Sequence, residues 1–182
     1  GRQTPGEMNS SPLAPSSVQL KIPGKIFGVP VAMTIKDIGE VIKRFIFVAK
    51  VARESGFTGI QIHSAHGYLL SEFLSPDINK RTDEWGGSLE NRTRIHVEII
   101  KGIRKALGND FPISLKLNSA DFQKGGFSPA DALESARIME SAGIDLLEIS
   151  GGTYEQPRLL GLDNLSINPE RSENRKSSSI AR

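Results

Sequence analysis

His63, His66 and Tyr68 stand within six residues of one another, where the β-branched run Thr58 to His63 ends. Two imidazoles three residues apart can converge on one small acceptor, and a phenol two residues further on can move a proton beside it. Three readings fit that spacing. The residues could be satisfied polar groups at a strand-to-helix turn. They could be a His-x-x-His chelate, although no third ligand stands at suitable spacing, His96 falls inside a helical pattern, and the zincin motif is absent. They could also be paired donors that polarise a carbonyl oxygen while the phenol supplies a proton.

The elements that must position these side chains read as alternating helices and strands. Residues 1 to 33 are rich in Pro, Gly and Ser, with alternating runs at Val18 to Ile22 and Ile26 to Val31, which predicts an excursion loop holding a small hairpin. Thr34 and Asp37 form a capping signal. Phe45, Val48, Ala49 and Ala52 follow at the spacing of one helical face, predicting a helix over about 35–55 that Gly56 stops. Thr58 to His63 and the alternating Pro112 to Asn118 read as strands. Between them Ile95, Ile99, Ile100, Ile103 and Leu107 stripe a helix closed by Gly108. Ser128-Pro129 caps another helix carrying Ala132, Leu133, Ala136 and Met139, which ends at Gly143, and Ile144 to Ser150 is the next strand.

That order belongs to an α/β protein with a parallel sheet. Both a β/α barrel and a doubly wound sheet satisfy it, so the strand faces arbitrate. Gln61 and His63, Lys116 and Asn118, and Glu148 and Ser150 put polar groups on one face near each strand's C-terminal end. Such convergence suits a barrel mouth better than a sheet buried on both faces. The Gly-Gly pairs at 86, 125 and 151 lack the spacing of a dinucleotide fingerprint. Three strands are too few to close a barrel of eight.

Composition narrows the partners. The 182 residues carry 23 basic and 21 acidic side chains, a balance that offers no broad field for nucleic acid or an anionic membrane, so a small-molecule partner is expected. No cysteine is present, which excludes disulfides, thiolate nucleophiles and Cys-ligated metal centres and fits a reducing compartment. No apolar run approaches the roughly 18 residues of a membrane span, and a cytoplasmic location is expected. The basic, Ser-rich stretch Arg171 to Ser179 reads as a solvated or incomplete segment.

The run His63-Ser64-Ala65-His66-Gly67-Tyr68-Leu69-Leu70-Ser71-Glu72-Phe73-Leu74-Ser75-Pro76, continued by Asn79-Lys80-Arg81-Thr82-Asp83-Glu84-Trp85-Gly86-Gly87-Ser88-Leu89-Glu90-Asn91-Arg92, resembles the Old Yellow Enzyme family of NADH:flavin oxidoreductases. The resemblance extends to Gly1 to Pro5, similar to the segment after that family's third strand, and to Ile149 to Glu155, similar to the end of its sixth. It implies a partial (β/α)8 TIM barrel running from about the third loop through the sixth strand. An excursion loop would occupy 1–33, the partial barrel 34–155, and an incomplete or flexible segment 156–182.

It also implies an FMN at the barrel mouth that takes hydride from NAD(P)H and passes it to the activated C=C of an α,β-unsaturated carbonyl compound. By the same resemblance His63 and His66 hold the carbonyl oxygen and Tyr68 protonates the α-carbon. Lys116 stands where many members carry an arginine against the flavin; a lysine supplies the charge without the planar fork. Arg81, Asp83, Trp85, Gly86, Gly87, Asn91 and Arg92 read as loop architecture. The family's first two strands and third-strand glutamine would precede Gly1, and its phosphate-binding strands would follow Arg182. The alternative expectation is therefore a truncated, non-catalytic chain that binds no flavin.

Overall fold

The computed structural model describes residues 1–22 and 24–156. Its centre is a parallel sheet of three strands in sequence order, β3 (Ile60–Ser64), β4 (Ile113–Asn118) and β5 (Leu146–Ser150). The register sets Ile60 against Ile113, His63 against Lys116, and Lys116 in turn against Glu148.

Each helix starts where the sequence supplies a cap. For α1 (Ile35–Glu54) the Thr34 hydroxyl accepts from the Asp37 backbone N–H, while the Asp37 carboxylate accepts from the Thr34 N–H at 2.8 Å. The Ser88 hydroxyl accepts from the Asn91 N–H to open α3 (Leu89–Leu107), and the Ser128 hydroxyl accepts from the Asp131 N–H to open α4 (Pro129–Ala142). Gly108 and Gly143 follow their last turns. The helix α1 packs on α3, and α3 on α4. One continuous layer of helices thus covers one face of the sheet, which is the arrangement of a barrel wall; a doubly wound sheet would place successive helices on both faces.

Strand parity follows from that layer. Ile62, Ile113, Leu115 and Leu117 are buried in one core with Ile95, Ile99, Ile100 and Ile103 of α3. The alternate residues Gln61, His63, Ser114 and Lys116 face away from it and are exposed or half-buried. On β5 Leu146 is 60% and Ile149 58% exposed, so the sheet ends there among the described residues with apolar side chains uncovered.

The excursion segment pairs differently from a regular hairpin. Antiparallel contact within it is limited, among the described residues, to single bridges at Ile22–Lys25 and Pro5–Phe27. Its two short strands, β1 (Leu13–Ala14) and β2 (Val31–Ala32), run parallel. The physical reason lies in Arg81, whose guanidinium donates to the carbonyls of Pro15 (3.2 Å) and Met33 (2.6 Å) and so ties both ends of the excursion to one point. The pattern after Tyr68 also hides a helix, α2 (Leu69–Leu74), whose residues from Leu70 onward are all buried and show no amphipathic stripe. Apart from Gln156, the segment 156–182, with the Ser-rich stretch, lies outside the described residues.

His96 is buried in α3, and its Nε2 lies 2.7 Å from the Ser64 hydroxyl of β3. Burial depresses this imidazole from 6.5 to about 3, so it stays neutral in the fold and takes a proton readily only once unfolded. Its contribution to stability is complete above 6.5 and is lost as pH falls from there towards 3. Unfolding free energy is expected to drop by about 3 kcal/mol between neutrality and about pH 4.5 on this account. Urea melts across that range should show the drop, and His96→Gln should flatten it; an equally steep profile in the variant would refute the assignment.

Candidate functional site

His63, His66 and Tyr68 converge at the C-terminal mouth of the sheet. His63 is one residue short of the end of β3, and its Nδ1 accepts from the Ala65 backbone N–H at 3.3 Å, which places the ring proton on Nε2. The chain then turns through two left-handed residues, His66 (φ 62°) and Gly67 (φ 75°). A histidine held there is strained backbone of the kind that gathers at functional sites. Gly67 has no alternative, because a Cβ would stand 2.6 Å from Gln3 Oε1 as well as requiring the left-handed conformation.

The turn sets the His66 ring edge-on to His63, with centroids 5.3 Å apart, and the Tyr68 ring edge-on to His63 at 5.1 Å. Two neighbouring strands and the N-terminal segment fix His66 from three sides. Its backbone N–H donates to Asn118 Oδ1 at 3.1 Å, its carbonyl accepts from Gln3 Nε2 at 2.9 Å, and its Nε2 lies 2.6 Å from the Ser150 hydroxyl. Where Ser150 donates, His66 carries its own proton on Nδ1. Desolvation holds both imidazoles below their ordinary range; the Lys116 ammonium adds to this at His63, and His63 followed by Lys116 adds to it at His66. Both are therefore neutral donors at neutral pH.

Lys116 lies beside this pair in the register, half-buried, with its ammonium 2.7 Å from Glu148. Glu148 also accepts from Gln61 Nε2 at 2.8 Å, and the Lys116 bond followed by that of Gln61 keeps its carboxyl below the usual range. The lysine is thus one end of an ion pair, a partnership that strand alternation alone does not reveal.

Beneath the mouth lies a buried polar layer. Arg2 pairs with Glu155 at 3.3 Å, Gln123 Nε2 donates to the same carboxylate at 2.9 Å, and Asn118 Nδ2 donates to Asp121 and to the Gly152 carbonyl. Burial pushes the Glu72 carboxyl up to about 7, although the Arg2 backbone N–H donates to it. Among the described residues no group of three His, Asp or Glu side chains is placed to hold a metal ion. The loop residues Asn79 and Arg81 and the α3 residue Arg92 act as architecture: Asn79 donates to the Phe73 and Trp85 carbonyls, and Arg92 to those of Leu74 and Gly87.

Sequence reasoning missed Gln3 and Tyr154. The Tyr154 hydroxyl lies 2.9 Å from that of Tyr68, and its backbone N–H donates to Gln3 Oε1. Its placement just past β5, at the same mouth as the histidines, was the available signal.

In sequence and in fold the chain is similar to known oxidoreductases. The chain is 41% identical over 163 residues to an NADH oxidase of Thermoanaerobacter brockii, covering 88% of this chain and 25% of that protein. It is 41% identical to an NADPH dehydrogenase of Halalkalibacterium halodurans, covering 80% and 41%. Among solved structures, a 2-naphthoyl-CoA reductase in complex with 2-naphthoyl-CoA superimposes with a TM-score of 0.76 at 40% identity, over 81% of this chain and 22% of that one. An Old Yellow Enzyme homologue from Zymomonas mobilis does so with a TM-score of 0.72 at 25% identity, over 88% and 51%. The chain thus spans about a quarter of the length of the first of these relatives, and its fold is part of the β/α barrel of these enzymes. No helix among the described residues is long and apolar enough to cross a membrane. Over residues 1–177 the sequence matches the pattern of one group of flavin enzymes, and the chain belongs to the NADH:flavin oxidoreductase / NADH oxidase family.

Proposed function

We propose that this chain carries the substrate-anchoring part of an FMN-dependent oxidoreductase in which NAD(P)H reduces the flavin and an α,β-unsaturated carbonyl compound is reduced at its C=C bond. The observation that carries this reading is the set of neutral donors, His63 and His66, grouped with the Tyr68 phenol at one mouth. When bound, FMN supplies the hydride. The two imidazoles hold the carbonyl oxygen and donate to the negative charge that develops on it as the C=C bond is reduced. Neutral donors do so without forming a tight ion pair in the ground state, and each such contact contributes about 2–4 kcal/mol in a dry site. Tyr68 gives its hydroxyl proton to the α-carbon.

The residues fit a planar flavin. His63, Lys116 and Glu148 form a side-by-side row on the helix-free face, and the Gln61 and Lys116 bonds hold Glu148 in place. Lys116 would hold the flavin's electron-rich edge with a point charge. The carbonyl class includes thioesters such as the ligand of the 2-naphthoyl-CoA reductase complex. The test is anaerobic titration of the reduced, flavin-loaded protein with an enone. Stoichiometric return of flavin absorbance is expected; a flavin that oxygen reoxidises but no enone or enoyl thioester does would overturn the reading.

A further inference from the structure

Tyr68 and Tyr154 are the chain's two tyrosines, and they meet oxygen to oxygen at 2.9 Å across 86 residues of sequence. We propose that Tyr154 is the relay residue of this site, stabilising the Tyr68 phenolate and returning a proton to it from solvent after each turnover. The proposal rests on the reading of Tyr68 as the proton donor.

Four observations carry it. First, the spacing of the two loops is built rather than incidental. The single side chain of Gln3 donates to the His66 carbonyl at 2.9 Å and accepts from the Tyr154 backbone N–H at 3.2 Å, clamping the histidine loop to the loop after β5. Second, the Tyr154 ring makes edge-on contacts with Tyr68 at 5.9 Å and with Phe27 at 6.4 Å, which pack it against both neighbours. Third, the two phenols face different surroundings. Tyr68 lies against His63, whereas Tyr154 lines an open cleft of about 590 Å³ with Gln3, Pro5, Lys25 and Phe27. The two phenols are about equally exposed, 39% and 38%, but the cleft brings water to Tyr154 on the side away from His63, so a proton can come to Tyr68 through Tyr154. Fourth, the hydrogen bond to Tyr68 holds the Tyr154 phenol above its ordinary range, the behaviour of the donor in the pair. With Tyr154 donating, Tyr68 accepts and its own O–H is free to turn to the substrate.

The proton balance is closed. The Tyr68 O–H bond breaks as the α-carbon C–H bond forms, and the Tyr154 proton passes to the Tyr68 oxygen. Water in the cleft then reprotonates Tyr154. No electrons move in these steps, and the net donor is solvent. Without Tyr154 the phenolate formed on Tyr68 loses a hydrogen bond to a charged acceptor.

The experiment is the rate of the alkene-reducing half-reaction in the flavin-loaded protein, for the parent, Tyr154→Phe and Tyr68→Phe. Phenylalanine keeps the ring contacts with Phe27 and Tyr68, and flavin reduction by NAD(P)H serves as the control for an intact fold. Tyr154→Phe is expected to slow alkene reduction about 10- to 100-fold. Flavin reduction should be unchanged. An unaltered rate would overturn the relay, and so would equal losses in both half-reactions, which is what a packing role predicts. If Tyr68→Phe itself were as fast as the parent, the donor assignment beneath the proposal would fall; if only Tyr154→Phe were, the relay alone would.

Discussion

Tyr68→Phe is expected to slow alkene reduction about 10²- to 10⁴-fold while leaving flavin reduction by NAD(P)H nearly untouched, because a proton to carbon is needed only in the second half of the cycle. The ring would remain edge-on to His63 at 5.1 Å, so the change removes an oxygen and little packing. The loss should exceed that of Tyr154→Phe, since the nearer phenol gives up the proton and the further one stabilises what is left. Rapid-mixing traces of flavin reduction and reoxidation, recorded separately, read the two halves. Equal losses in both would assign Tyr68 a structural role instead.

Replacing His63 and His66 together with Ala should weaken binding of phenolic ligands, whose oxyanion stands in for the developing enolate oxygen, by at least about 10³-fold. One such donor is typically worth 10² to 10³ in rate. The charge-transfer colour of the phenol complex should disappear with binding. Since desolvation holds both rings below their ordinary range, this binding should be level from neutral pH upward on the histidines' account and change only where they begin to protonate, below the usual imidazole range. His63→Gln keeps an N–H donor and should retain part of the affinity. A double variant that binds phenols as tightly as the parent, with the same colour, would remove both residues from the site.

How much of this was legible in the sequence depends on the distance over which each feature is encoded. The start of α1 was readable because Thr34 and Asp37 satisfy one another's backbone within a single turn. The ends of α3 and α4 were readable from Gly108 and Gly143. The polar face of the sheet followed from alternation, which needs only that successive side chains point to opposite sides. By contrast α2, buried along nearly its whole length, carries no periodic mark. The parallel pairing of β1 with β2 is tied down by Arg81, whose partners Pro15 and Met33 lie 66 and 48 residues earlier. At the site, motif resemblance picked out His63, His66 and Tyr68, yet the groups that aim them come from other strands. Asn118 and Ser150 were expected on the right face, but their bonds to His66 follow from register, and register is a tertiary fact. The Lys116–Glu148 pair has the same origin.

The contacts that complete the mouth join distant parts of the chain: Arg2 to Glu155 across 153 positions, and Gln3 to Tyr154 across 151. Each closes a loop holding nearly every described residue, and the entropy of that closure must be met before either contact returns anything. The pairing of β3 with β4 and of β4 with β5, and the packing of α1 on α3, span shorter stretches and can form first. On these separations the histidine loop and the tyrosine loop are expected to come together after the wall behind them, which makes the mouth the last of the described parts to assemble.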